Sequence, residues 1–70
     1  MSQEYRLILA NNIKKYREKR KLKREELSLA LGYDNSYISK LEHCKINITI
    51  DKIEQIAKYL NISAKELFNK

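Results

Sequence analysis

The stretch of sequence that decides the fold is LSLALGYDNSYISKL, residues 27–41. Gly32 directly follows an apolar helical pattern, and a glycine at that point is a common left-handed end of a helix. Asp34, two residues after Gly32, can cap a second short helix that runs to about residue 43 and is the third predicted helix of the chain. In this second helix Ile38 and Leu41 are three residues apart and should point inward. The stretch therefore predicts two short helices joined by a tight turn.

A longer helix is predicted upstream, over about residues 4–20, because apolar residues recur there at helical steps. The stripe that should face the core consists of Tyr5, Leu9, Ile13 and Tyr16. The next helix, over about residues 24–31, has Lys23 at its N-cap position, where Ser, Thr or Asp is preferred. We therefore expect the start of this helix to be poorly capped.

Two further helices are predicted downstream. Thr49 can cap the first, which carries the longest apolar stripe in the chain and should be the central core helix. This stripe consists of Ile50, Ile53, Ile56, Ala57 and Leu60. Ser63 and Glu66 have the spacing of a capping box, which predicts a short fifth helix carrying Leu67 and Phe68. The expected fold is one all-α domain over residues 1–70, with five helices.

Size and composition restrict the class of function. A chain of 70 residues buries only about 60% of the surface that its unfolded form exposes, so a deep catalytic cleft is not expected. The N-terminus shows no export pattern and no apolar run reaches the length of a membrane span, which predicts a soluble, cytoplasmic protein. His43 and Cys44 are its one histidine and one cysteine, too few for a typical zinc site. We expect no enzymatic activity, metal, cofactor or small-molecule ligand.

Basic residues cluster in one part of the chain. The formal net charge is +6, and eight of the fifteen lysines and arginines lie between Lys14 and Arg24. Such a cluster suits a phosphate-rich partner such as nucleic acid. The alternative is a solvated helix face without a partner.

The outward face of the third predicted helix is polar. At about 100° per residue, the positions opposite Ile38 and Leu41 all carry side chains that can form hydrogen bonds. These positions are Asn35, Ser36, Ser39, Lys40 and His43. Asn can bond an adenine edge, Lys a guanine edge, and Ser several bases. The pattern alone equally fits an ordinary solvated surface.

From Ile13 to Phe68 the sequence resembles the phage-repressor and Cro-type helix-turn-helix family. The matching residues are Glu25-Glu26-Leu27, Leu31-Gly32, Tyr37-Ile38-Ser39-Lys40-Leu41-Glu42, Ile53, Ile56-Ala57, Leu60, Ile62-Ser63 and Glu66-Leu67-Phe68. Residues 47–50 and the short length look most like the restriction-modification controller proteins, although phage, plasmid and conjugative-element repressors share the same frame. The resemblance implies a DNA-binding transcriptional regulator whose second short helix reads the major groove.

The resemblance also implies roles for individual residues. Those expected to face base edges are Asn35, Ser36, Ser39 and Lys40. Those expected near phosphates are Arg17, Arg24, Tyr37, His43, Lys45 and Asn47. In the family an arginine and a glutamate at the positions of Arg17 and Glu42 form a pair in which the arginine also contacts a phosphate. A homodimer on a palindromic operator is expected, and its interface residues are Tyr59, Ile62, Leu67 and Phe68.

Four positions depart from the family pattern. Cys44 and Lys21 stand where glycine is usual. The conformation of the turn at Cys44 is therefore left open, and Lys21 either extends the first helix or tightens the link after it. Ser28 replaces an alanine packed between two helices. Arg24 replaces a common glutamine, and we expect it to bind phosphate without assuming a base contact.

A competing interpretation is a protein-interaction module, such as an antitoxin. The same helical scaffold would then grip another protein instead of, or as well as, DNA. The sequence leaves open the operator, the sign of regulation and the genomic context.

Overall fold

Residues 3–70 are described by a computed structural model, and over this range the chain forms four α-helices and one 3-10 helix. The elements are α1 (Gln3–Lys19), α2 (Arg24–Ala30), α3 (Tyr37–Glu42), α4 (Ile50–Tyr59) and the 3-10 helix (Ala64–Phe68). The predicted all-α class is confirmed. Within the described residues, none of the helices has the length and apolar character needed to cross a membrane.

The prediction of a fifth α-helix is wrong, because the last element is a 3-10 helix. The predicted capping box is also wrong, since the Ser63 side chain makes no capping hydrogen bond. The carboxylate of Glu66 accepts instead from Asn69 Nδ2 at 3.0 Å. What holds this segment is Asn12 of α1, whose buried Nδ2 donates to the carbonyl oxygens of Leu67 at 3.0 Å and Asn69 at 2.6 Å.

Every helix contributes apolar side chains to a single core. Its buried members are Leu9, Ile13, Leu27, Leu31, Ile38, Leu41, Ile53, Ile56, Ala57, Leu60 and Leu67. Two residues assigned to core-facing stripes are exposed, Tyr5 and Ile50. Both lie in the first turn of their helices, at the edge of the bundle, where a helical stripe continues past the neighbouring elements.

All four α-helices of the described chain are followed by a residue in the left-handed backbone conformation. These residues are Lys21 (φ 56°), Gly32 (φ 85°), Cys44 (φ 59°) and Asn61 (φ 59°). After α3, for example, Cys44 N–H donates to Leu41 O at 3.1 Å and Lys45 N–H to Lys40 O at 2.9 Å, the paired bonds of a Schellman motif. The turn at Cys44, which the sequence left open, is therefore left-handed, and of the two alternatives at Lys21 the longer first helix does not occur. Each residue adopts the conformation that a glycine would have had.

The two short helices are joined through a buried serine. The Oγ atom of Ser28 donates to Arg24 O at 2.8 Å and accepts from Ile38 N at 2.9 Å. The predicted Asp34 cap is wrong, because the N-cap residue of α3 is Ser36. The Asp34 carboxylate accepts instead from the backbone and the hydroxyl of Ser36 at 2.9 and 2.7 Å. Because these bonds hold residues 34–36 in a turn, α3 starts only at Tyr37. At the start of α2, Lys23 provides no side-chain cap. Glu26 Oε1 nevertheless accepts from the Lys23 backbone N–H at 2.8 Å, so the expectation of a poorly capped start is wrong in part.

Candidate nucleic-acid interface

The residues predicted to read bases surround the beginning of α3. Asn35 and Lys40 are exposed, whereas Ser36 and Ser39 are partly buried. Asn35 and Ser36 precede α3 instead of lying within it. An open groove runs between this end of α3 and the start of α2, lined by Arg17, Lys23, Arg24, Glu25, Asn35, Ser36 and Ser39. The fold thus places three of the four predicted base readers in one groove with Arg24, while Lys40 lies on exposed α3 surface outside the groove.

Glu42, the last residue of α3, lies between two arginines. Its Oε2 atom accepts from Arg17 Nε at 2.8 Å, and its Oε1 atom accepts from Arg24 Nε at 3.0 Å and from Arg17 Nη2 at 3.4 Å. The ion pair between Arg17 and Glu42 that the resemblance implies is therefore present in the structure. Arg17 Nη1 also donates to Leu22 O at 2.7 Å, so most of this guanidinium is engaged inside the protein.

Tyr37 departs from the predicted site. Its ring packs against Tyr33, with centroids 4.2 Å apart, and Lys52 Nζ lies 5.7 Å from its centroid. Its hydroxyl oxygen is buried and has no hydrogen-bond partner among the described residues. Burial raises the pKa of this hydroxyl, and the neighbouring Tyr33 raises it further. The hydroxyl is therefore not accessible in this arrangement, and the phosphate contact of Tyr37 stays a prediction.

The other predicted phosphate neighbours follow α3. His43, Lys45 and Asn47 are exposed. The His43 ring is held against its own helix, with Nδ1 2.7 Å from Ser39 O. Asn47 Oδ1 accepts a hydrogen bond from Arg6 Nη2 of α1. Of these three residues, Lys45 is the one whose side chain makes no hydrogen bond or ion pair within residues 3–70.

The predicted dimer residues separate into two groups. Tyr59 is exposed, and Ile62 and Phe68 are partly buried. Leu67 is completely buried in the core, so it cannot contribute accessible surface to an interface, and that assignment is corrected. Phe68 makes an edge contact with Tyr5, with centroids 6.5 Å apart. Sequence reasoning placed Tyr5 in the core and missed its position beside Phe68 at the surface.

Two contacts between α2 and α3 could not be predicted from spacing along the sequence. Arg24 and Glu42 are 18 residues apart, and Ser28 and Ile38 are ten apart, and neither spacing is a contact distance along one helix. Only the packing of α2 against α3 brings them together. Over the described residues, no group of three or more His, Cys, Asp or Glu side chains could hold a metal ion.

Comparison with known proteins gives a consistent result. The family model described as Helix-turn-helix matches residues 13–67. A hypothetical transcription factor of Neisseria meningitidis is 34% identical over 65 residues, which cover 93% of this chain and 61% of the relative, so the chain spans under two thirds of that protein. Control protein C.SmaI of Serratia marcescens is 33% identical, with 90% of this chain and 75% of that protein covered. The solved restriction-modification controller protein C.AhdI of Aeromonas hydrophila superimposes with a TM-score of 0.82 at 27% identity, covering 90% of this chain and 96% of that one.

Proposed function

This chain belongs to the helix-turn-helix family, and from that premise we propose that it is a sequence-specific DNA-binding transcriptional regulator. The observation that carries the proposal is the groove between α2 and α3, which Arg24 lines together with Asn35, Ser36 and Ser39. A cation next to several neutral hydrogen-bonding side chains suits a site that holds a phosphate and reads the adjacent base edges. In this proposal α3 enters the major groove and Lys40 extends the base-reading surface.

The names of the relatives narrow the proposal. Two of the similar proteins are named as control or controller proteins, and C.AhdI is named as one of a restriction-modification system. We assign this chain to the same kind of small regulator, with a mobile-element repressor as a variant of the same function.

Phosphate anchoring is assigned to cationic and polar residues in the groove and beyond the C-terminal end of α3. Arg24 lines the groove, and Lys45, His43 and Asn47 follow α3. Arg17 supports them from a largely buried position. The net charge of +6 favours a polyanionic partner, and each contact to phosphate releases counterions, so affinity should fall steeply with salt.

We assign a homodimer to the regulator, because two-fold homodimers are the commonest oligomers. Such a dimer would set two reading helices about 34 Å apart on a palindromic operator. The surface proposed for the dimer contains Tyr59, Ile62 and Phe68, with Tyr5 beside Phe68. Exposed aromatic side chains at a helix end suit a self-complementary contact.

The test is selection of bound duplexes from random DNA by the purified chain. We expect an enriched motif with two-fold symmetry, bound with an affinity that falls by orders of magnitude between low and moderate salt. Selection that enriches no motif would overturn the proposal and favour the protein-interaction alternative. An enriched but asymmetric motif would retain DNA reading and remove the homodimer.

A further inference from the structure

Glu42 is a buried carboxylate at the edge of a surface proposed to meet DNA. Its side chain is 4% exposed and accepts three hydrogen bonds from two arginines. By charge alone a carboxylate here should repel DNA phosphates. Its burial between two cations therefore suggests that it acts through them.

The two arginines are held differently. The Arg17 side chain is 8% exposed and has a second anchor at Leu22 O. The Arg24 side chain is 42% exposed, and its hydrogen bond to Glu42 uses only Nε. Within residues 3–70, the two terminal nitrogens of Arg24 donate no hydrogen bond. Arg24 is thus held through Nε, while its two terminal nitrogens have no hydrogen-bond partner in this part of the chain.

We propose that Glu42 is a positioning residue for DNA binding. It holds Arg24 through Nε, so that the terminal nitrogens of Arg24 are available to a phosphate in the groove that Asn35 and Ser36 also line. The inference rests on the proposed function and adds to it a role for a residue that carries the wrong charge for DNA contact. Arginine suits this role because one guanidinium can donate to a carboxylate through Nε and to a phosphate through its terminal nitrogens. A lysine has one ammonium group and lacks this fork.

The first test is a double-mutant cycle on the duplex that the selection enriches most. We expect Glu42→Gln to weaken binding roughly three- to tenfold per protomer, the effect of releasing one long side chain. In an Arg24→Ala background, the same substitution should change binding by less than about twofold, because its target is gone. The matched control is Glu25→Gln, which removes the same charge from the lining of the groove and should tighten binding.

A second test covers the case in which Glu42→Gln fails to fold, since it removes the partner of buried Arg17. Arg24→Lys keeps the charge and should lose about threefold or more in affinity with an unchanged dependence on salt. Arg20→Lys, at an exposed position outside the groove lining, should bind like the wild type. Circular dichroism establishes the folding of each variant.

The outcomes are separable. If the wild-type chain binds no duplex, the proposed function fails. If it binds, but folded Glu42→Gln binds as tightly or more tightly, the positioning role is overturned. Wild-type affinity of Arg24→Lys also overturns it, because a point charge would then suffice. Equal losses from Glu42→Gln with and without Arg24 would assign Glu42 to structure alone.

Discussion

The hydroxyl of Ser28 accepts a hydrogen bond of 2.9 Å from the backbone N–H of Ile38. This N–H lies in the first turn of α3, where helical N–H groups have no partner inside their own helix. A side chain of α2 therefore supplies the bond that a local cap usually gives. Because Ser28 also donates to Arg24 O, one buried hydroxyl couples the start of α2 to the start of α3.

We predict that Ser28→Ala lowers the free energy of unfolding by about 1–2 kcal/mol, since it leaves a buried N–H without a partner. Chemical denaturation measures the change. The control is Ser63→Ala, because the Ser63 side chain makes no capping bond and should alter stability little. Equal stability of Ser28→Ala and the wild type would show that the hydrogen bond is replaced or contributes nothing.

Replacing Lys21 by glycine should stabilise the chain. A left-handed conformation costs a non-glycine residue about 1–2 kcal/mol, whereas glycine costs about 0.5–1 kcal/mol in unfolded-state entropy. The expected net gain is therefore about 0.5–1 kcal/mol, which raises the thermal midpoint by a few degrees. Lys14→Gly, in the interior of α1, should have the opposite sign. A lower midpoint for Lys21→Gly would contradict the left-handed assignment.

Base readers and phosphate anchors should respond differently to truncation. Asn35→Ala and Lys40→Ala should each cost about 1–3 kcal/mol on the selected duplex and relax preference at particular base pairs. Arg24→Ala should weaken binding to all duplexes alike and reduce the salt slope. Titrations against single-base variants of the enriched site measure both effects. The same uniform loss for all three variants would argue against base reading by this surface.

The pKa of Asp34 lies below its ordinary value of 3.8, first because the Ser36 hydroxyl donates to its carboxylate and second because the Ser36 backbone N–H does so. A lowered folded-state pKa contributes to stability above pH 3.8, and that contribution is lost as the pH falls through the folded-state value. NMR titration of Asp34 checks this. Ser36→Ala should move the pKa back toward 3.8, while Ser39→Ala should leave it in place. A wild-type pKa at or above 3.8 would refute the bonded turn.

The dimer surface can be tested with a charge at Tyr59. We expect Tyr59→Glu to shift the chain from dimer to monomer in analytical ultracentrifugation and to weaken binding to a two-half-site duplex, because a buried charge without a partner opposes association. Leu29→Glu places the same charge on an exposed apolar residue of α2 and serves as the control. A monomeric wild type would remove the dimer from the proposal.

Patterns within single helices were read correctly from the sequence. The periodic spacing identified Leu9, Ile13, Ile53 and Ile56 as core, and Thr49 as the cap of α4, whose hydroxyl accepts from Lys52 N at 3.2 Å. Errors arose at helix ends and at the edge of the core, as for Tyr5 and Ile50. Periodicity gives the direction of a side chain, but the extent of the neighbouring elements decides whether anything covers it.

The two-helix unit around Gly32 was determined by the sequence itself, because turn chemistry and helical spacing act over a few residues. The left-handed turns at Lys21 and Cys44 were decided by the tertiary structure, because the packing of the flanking helices imposes a conformation that these residues disfavour on their own. The contacts of Glu42 also depend on the tertiary structure. Its sequence position identifies one partner through the family pattern, but only the approach of α2 to α3 brings Arg24 Nε within 3.0 Å of its carboxylate.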